Sequence, residues 1–236
     1  METIFIICTS VSLLCLFVLF VFLFKDAENL RHEISKTQTD VINNSVELYK
    51  TNENVSIINA SIDPENKRWA RIKQVRKIIS DVAKERGNNA LTIKDITNIA
   101  SFVVDYSEEY DVPVSLILSI MTAESNFKIK AVSSSGAKGL MQILPTTATE
   151  IANDIGNKYY NLFKVKDNIQ MGIWYIWKML NYFKGDLELA VKAYNCGPVC
   201  VERVLSGEYD GYPNETINYY QVVFEWKTRY ENLGVD

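Results

Sequence analysis

Histidine is almost missing from this sequence: the single one, His32, follows closely on an apolar run near the N-terminus. Without histidine, the rest of the chain cannot build a Ser-His-Asp triad, a Cys-His protease or a His-ligated zinc hydrolase. Cysteine is scarce as well. Of the four present, Cys8 and Cys15 lie inside the apolar run, and Cys196 and Cys200 are too few for a zinc site without histidine. Positive charge is not in excess: the formal net charge is −4 and the pI is about 5.3, which argues against a nucleic-acid binder. Chemistry must therefore run on carboxylates, hydroxyls, amides or lysines. Carboxylates are themselves missing from one stretch, since none occurs between Glu124 and Glu150.

The apolar run extends from Thr3 to Phe24 without a charge, long enough for a helix to cross a hydrocarbon core. Phe24-Lys25-Asp26 follows with no small-residue cleavage step, so residues 3–24 are expected to be an uncleaved anchor in a lipid bilayer rather than a signal peptide. Lys25, Arg31 and Lys36 lie on its C-terminal side, and the positive-inside rule alone would leave the bulk of the chain in the cytoplasm. Residues 25–66 are polar and Asn-rich and are expected to form a stalk or linker. From about Lys67 the pattern is helical. Residues 67–104 read as a helical lead-in, with Lys67, Arg68, Arg71, Lys73, Arg76 and Lys77 solvated and Trp69, Ile72, Val75, Ile79 and Val82 on the packed face. Thr92 or Asp95 can start a second helix, and Asp111 with Pro113 a third. Residues 168–183 and 187–194 read as further apolar helices. Strand-type alternation is scarce, so the expected fold is mainly α, with residues 105–236 as the main helical domain after the lead-in.

In the helix after Pro113, Glu124 follows Ile117, Ile120 and Met121 at helical spacings, on the face of the apolar stripe. A carboxyl there is partly desolvated and holds its proton more tightly than in water. The bland alternative is a helix-end Glu that reaches a lysine or solvent. Behind Glu124 comes the small-residue loop Ser133-Ser134-Ser135-Gly136-Ala137-Lys138-Gly139, where backbone can approach a ligand closely. Leu140-Met141-Gln142-Ile143-Leu144-Pro145 then offers an amide and apolar surface. Hydroxyls, an amide and a protonated carboxyl together suit a polyhydroxylated, acetamido-bearing sugar, whose glycosidic oxygen the carboxyl could protonate.

Glu124-Ser125, Ala131-x-Ser133, Gly136-Ala137-x-Gly139-Leu140-Met141-Gln142, Pro145 and Thr147-Ala148 resemble the catalytic signature of the soluble lytic transglycosylase (SLT) family, which has a lysozyme-like fold related to goose-type lysozymes. The resemblance continues at Asn168-Ile169-x-x-Gly172, Ala193-Tyr194-Asn195-x-Gly197-Pro198 and Glu215-Thr216-x-x-Tyr219, over roughly residues 105–225. It implies non-hydrolytic cleavage of the β-1,4 bond between N-acetylmuramic acid and N-acetylglucosamine in peptidoglycan, without a cofactor or metal. Glu124 would protonate the leaving oxygen and then, as carboxylate, take the proton of the muramic C6 hydroxyl, closing a 1,6-anhydro ring. One carboxyl then serves both steps, where a retaining or inverting glycosidase uses two. The resemblance further implies that Ser133 and Gln142 bind sugar, that Met141 and Leu144 line the groove, that Tyr194 and Asn195 border the catalytic subsite, and that Tyr219 positions Glu124 or the sugar. Glu215 would hold the groove by hydrogen bonding, or serve as a helix N-terminal charge.

Several alternatives stay open at this level. Met141 and Leu144 could be core, and Trp174, Tyr175 and Trp177 could be core aromatics or sugar-stacking rings. Cys196 and Cys200 read as small buried hydrophobes in preference to a local disulfide, because a spacing of four across Gly-Pro need not give bond geometry. A hydrolytic muramidase and a non-catalytic wall-binding assembly protein share the same pattern. Peptidoglycan as substrate places the domain in the periplasm or on the cell-wall side, against the charge bias around the anchor. A virion membrane, or a secretion or conjugation machine, would suit a tethered wall-opening enzyme equally.

Overall fold

The computed structural model describes Leu19 and residues 23–51, 64–157 and 159–236. The chain divides into two units, Met1–Pro64 and Glu65–Asp236. In the first, residues 23–51 are helical and exposed along their whole length. The expected anchor lies outside the described residues apart from Leu19, Leu23 and Phe24. Among the described residues no helix is long and apolar enough to cross a membrane.

The second unit is built from helices α1 (Pro64–Glu85), α2 (Ile93–Tyr110), α3 (Val114–Glu124), α4 (Pro145–Asp154), α5 (Val165–Tyr182), α6 (Leu187–Cys196), α7 (Pro198–Leu205) and α8 (Asn214–Asn232). It contains no sheet among the described residues; isolated bridges pair Val132 with Lys138 and Lys138 with Ile143. At the centre lies α3, in which every residue from Val114 to Thr122 is buried. A helix apolar all round has no solvent face, and this one is walled in by its neighbours. It packs chiefly along α8, where the Thr122 hydroxyl meets the buried Tyr230 hydroxyl at 2.7 Å.

Local chemistry sets the boundaries. Thr92 and Asp95 act together in a capping box at the start of α2. Asp111 closes α2 in a left-handed conformation (φ 52°) instead of capping α3, whose N-cap is Pro113. Asp and Asn tolerate that region because their short polar side chains can bond locally. On α1, Ile72, Val75, Ile79 and Val82 are buried as the periodicity predicts, but Trp69 is half-exposed under the Arg68 guanidinium. Arg68 itself forms a two-pronged ion pair with Asp105 of α2, at 2.6 and 2.7 Å. Arg229 of α8 pairs with Glu85 at the far end of α1. These pairs fix the lead-in helix against both α2 and α8.

Cys196 and Cys200 form a disulfide, contrary to the reading as separate buried hydrophobes. Gly197, at φ 84°, ends α6 and caps α7 in a single residue. That turn brings the two Cα atoms to 5.9 Å, inside the range a disulfide spans. The spacing alone could not reveal this, because it depends on a backbone conformation that only glycine adopts readily.

Candidate active site

Glu124 is the last residue of α3, where the buried helix opens into a cleft of about 410 Å³. The cleft is lined by the loop carrying Ser133, Ser134 and Ser135, by Gln142 and Leu144, by Tyr194 and Asn195 at the end of α6, and by Glu215 in the first turn of α8. The stretch 133–144, the end of α6 and the start of α8 thus meet around one carboxyl.

The electrostatics follow from that position. Burial raises the Glu124 pKa to about 7; the approach of the Tyr219 hydroxyl opposes this, and the nearby negative charge of Glu215 adds to it. The Tyr219 hydroxyl is buried and meets no partner at full hydrogen-bonding geometry, yet it lies close enough to Glu124 to favour the ionised form. Replacing Tyr219 by Phe is therefore expected to move the alkaline limb of the activity profile to higher pH. At its optimum the variant should keep activity within about tenfold of wild type, as for loss of one hydrogen bond. A pH–rate series on Tyr219→Phe checks this, and an unchanged limb would remove Tyr219 from the proton's control.

The walls are tightly held. Tyr194 is buried, and its hydroxyl donates to the Met141 carbonyl at 2.9 Å. Burial and the adjacent Glu124 push the phenol pKa well up, so it stays a neutral donor. Thr216 donates to the Asn195 side-chain oxygen at 2.8 Å, which fixes the amide of a residue that lines the cleft. Ser133 closes its loop by accepting from the Ala137 N–H at 3.0 Å. Gln142 adopts a left-handed backbone (φ 48°), and its side-chain nitrogen donates to the Gly139 and Ala131 carbonyls. With its nitrogen so engaged, the side-chain oxygen of Gln142 keeps its capacity to accept.

Not every expected residue faces the cleft. Met141 is fully buried and packs on Gly172, where an added Cβ would collide with its side chain. Its contribution is the backbone carbonyl that holds Tyr194. Leu144 does line the cleft, as does Tyr175, whose ring lies 5.2 Å from that of Tyr194. Trp174 is buried under Lys178, and Trp177 packs against Tyr110, so neither lines the cleft. No role could be read from the sequence for Thr216, which stood in a recognised block and acts on Asn195 from another helix, or for Asn168, a buried amide that binds three backbone groups. Asn168 stood inside a recognised block, but its role depends on contacts across a long stretch of chain.

Residues 102–217 match the family described as Transglycosylase SLT domain. The chain is 36% identical over 114 residues to membrane-bound lytic murein transglycosylase C of Serratia proteamaculans, a match covering 43% of this chain and 32% of that protein. To the protein of the same name from Mannheimia succiniciproducens it is 34% identical over 123 residues, covering 47% and 34%. The matched region therefore spans about a third of the length of these relatives. Among solved structures, an inactive mutant of the lytic transglycosylase Slt from Pseudomonas aeruginosa superposes with a TM-score of 0.54 at 24% identity, over 75% of this chain and 32% of that one. The 70 kDa soluble lytic transglycosylase of Escherichia coli gives 0.52 at 24%, over 68% and 31%. At that identity these two speak to the fold, and the fold is the one the helices and cleft already describe. Through residues 102–217 the chain belongs to the transglycosylase SLT family.

Proposed function

We propose that the domain is a peptidoglycan lytic transglycosylase that cleaves the bond between N-acetylmuramic acid and N-acetylglucosamine, with Glu124 as acid and then base. The observation that carries this is a partly buried carboxyl at the end of α3, poised near neutral pH by desolvation, in a cleft of hydroxyls and amides. A group with a pKa near the working pH can give up a proton and take one back with little penalty either way. Protonated Glu124 gives its proton to the glycosidic oxygen as the bond to the anomeric carbon breaks. The carboxylate then removes the C6 hydroxyl proton while that oxygen bonds to the anomeric carbon, giving a 1,6-anhydro product. Ser133, Gln142, Leu144, Asn195 and Tyr175 would hold the sugars around this point.

One observation favours a second reading. Glu215 shares the cleft with Glu124, so a hydrolytic muramidase with two carboxyls has both groups it needs. Mass spectrometry of digested sacculi separates the two. The expected products carry 1,6-anhydromuramic termini, and Glu215→Gln retains cleavage. Reducing termini alone, lost in Glu215→Gln, would replace the transglycosylase by the hydrolase.

We further infer a single-pass anchor through residues 3–24, with the catalytic domain on the periplasmic or cell-wall side. The acidic domain gains little attraction to an anionic wall, so a tether would supply local concentration. Protease added to intact spheroplasts is expected to degrade the domain; full protection would place it in the cytoplasm.

A further inference from the structure

We propose that the exposed helix over residues 23–51 pairs with the same helix of a second copy of this chain, as a parallel two-stranded coiled coil. Ala27, Ile34, Val41 and Leu48 recur every seventh residue, and Leu23, Leu30, Thr37, Asn44 and Thr51 interleave with them at the alternating three-and-four spacing of a heptad seam. All of these side chains are exposed; Leu23, Leu30, Ile34, Val41 and Leu48 each expose half or more of their surface. Leu30, Ile34, Thr37 and Val41 line one groove along the helix. An exposed stripe with Leu30, Ile34, Val41 and Leu48 on an otherwise polar helix, interrupted by Thr37 and Asn44, is what a partner helix would cover.

The polar members of the seam are compatible with burial. Thr37 and Thr51 return their hydroxyls to the Glu33 and Glu47 carbonyls of their own helix, each at 2.8 Å, so neither would be left without a partner in the interface. Asn44, at a d position, would face its counterpart across the seam, where the two amides can bond to each other.

Charge selects the partner and its direction. With Ala27, Ile34, Val41 and Leu48 at the a positions, the flanking g positions are Asp26, Glu33, Asp40 and Glu47, all acidic. The e positions are Arg31, Gln38 and Ser45. An antiparallel pair would set acid against acid along one whole flank of the seam. In a parallel pair, each g residue faces the next e residue of the other strand: Asp26 meets Arg31, Glu33 meets Gln38 and Asp40 meets Ser45, with no like charges opposed. β-Branched Ile34 and Val41 at a, with Leu30 at d, favour two strands. Ile42, which lines the same groove, forms with Val46 and Tyr49 a second, shorter stripe at heptad positions b and f.

Full-length chain with Cys8→Ser and Cys15→Ser provides the test, since Cys196 and Cys200 are already bonded to each other. In mild detergent, oxidation is expected to cross-link Val41→Cys into a species of twice the chain mass at least about tenfold faster than Val46→Cys. Sedimentation should give the dimer mass for the parent and the monomer mass for Ile34→Asp/Val41→Asp. Asp26→Lys should weaken the dimer, and adding Arg31→Glu should restore it. A monomeric or trimeric parent, faster cross-linking through Val46→Cys, or a dimer that survives Ile34→Asp/Val41→Asp would each overturn the proposal.

Discussion

Glu124→Gln is expected to lower glycan cleavage by at least about a thousandfold, within the range that removal of a general acid or base costs, and here one residue is asked to play both parts. Gln is nearly isosteric and keeps the hydrogen-bonding oxygen, so the cleft should be preserved and sugar binding retained. The same substitution has a second, independent signature. A carboxyl whose pKa rises from 4.5 to about 7 on folding binds its proton more tightly in the folded state. Between those values the folded state holds more protons than the unfolded one, so stability falls as pH rises through this window. Above pH 7 the buried carboxylate costs up to about 3 kcal/mol, from about 1.4 kcal/mol per pKa unit. Glu124→Gln has no such ionisation. Its melting temperature should match wild type near pH 4.5 and exceed it at pH 8. Release of anhydro-muropeptides from sacculi and thermal melts at the two pH values check both halves. Residual cleavage near the wild-type level would move the acid to another residue, and an equal melting difference at both pH values would mean that Glu124 is not held protonated by burial.

Glu124 was legible in the sequence for a reason only partly right. Its spacing from Ile117, Ile120 and Met121 suggested an apolar stripe, but α3 is buried on every side, and helical periodicity carries no facing information in such a helix. What desolvates Glu124 is its place at the end of a central helix, where the chain emerges into the cleft. The helical class and helices α1, α2, α3, α5 and α6 could be read from apolar periodicity, capping residues and Pro, because those signals act within a few residues; α7 and α8 were not read. Asp111 shows the limit, since a residue suited to an N-cap serves equally well to close the preceding helix. Met141 and Gln142 show another. Neighbours in one motif, they turn opposite ways because Gln142 takes a left-handed backbone, which nothing in the side-chain pattern announces. The disulfide was missed for the same kind of reason. Contacts that join distant segments, such as Thr216 to Asn195, are set by packing and leave no local trace.

Asn168→Ala should be the most destabilising single change around the site. The Asn168 amide is buried; its oxygen accepts from the Met141 N–H at 2.8 Å, and its nitrogen donates to the Lys138 and Leu162 carbonyls at 2.8 and 3.0 Å. Alanine would strand three backbone groups away from water, at about 1–3 kcal/mol for each buried group left unsatisfied. Partial relaxation brings the expected loss to about 3–5 kcal/mol, or roughly 10 °C in melting temperature for a domain of this size. The fit is close on every side, since a Cβ on Gly139 would collide with the Asn168 amide and the Leu162 carbonyl. Activity should fall with stability, because Asn168 fixes the Met141 backbone, the Met141 carbonyl anchors Tyr194, and Tyr194 stands beside Glu124. Asn168→Asp separates this account from simple loss of volume. It preserves size and can still accept from Met141, but it turns a carboxylate oxygen towards two carbonyls in place of a donor. Its melting temperature should therefore fall at least as far as that of Asn168→Ala. If Asn168→Asp melted like wild type, donation from the amide nitrogen would not be what holds the loop, and the wall of the cleft would have to be held by packing alone.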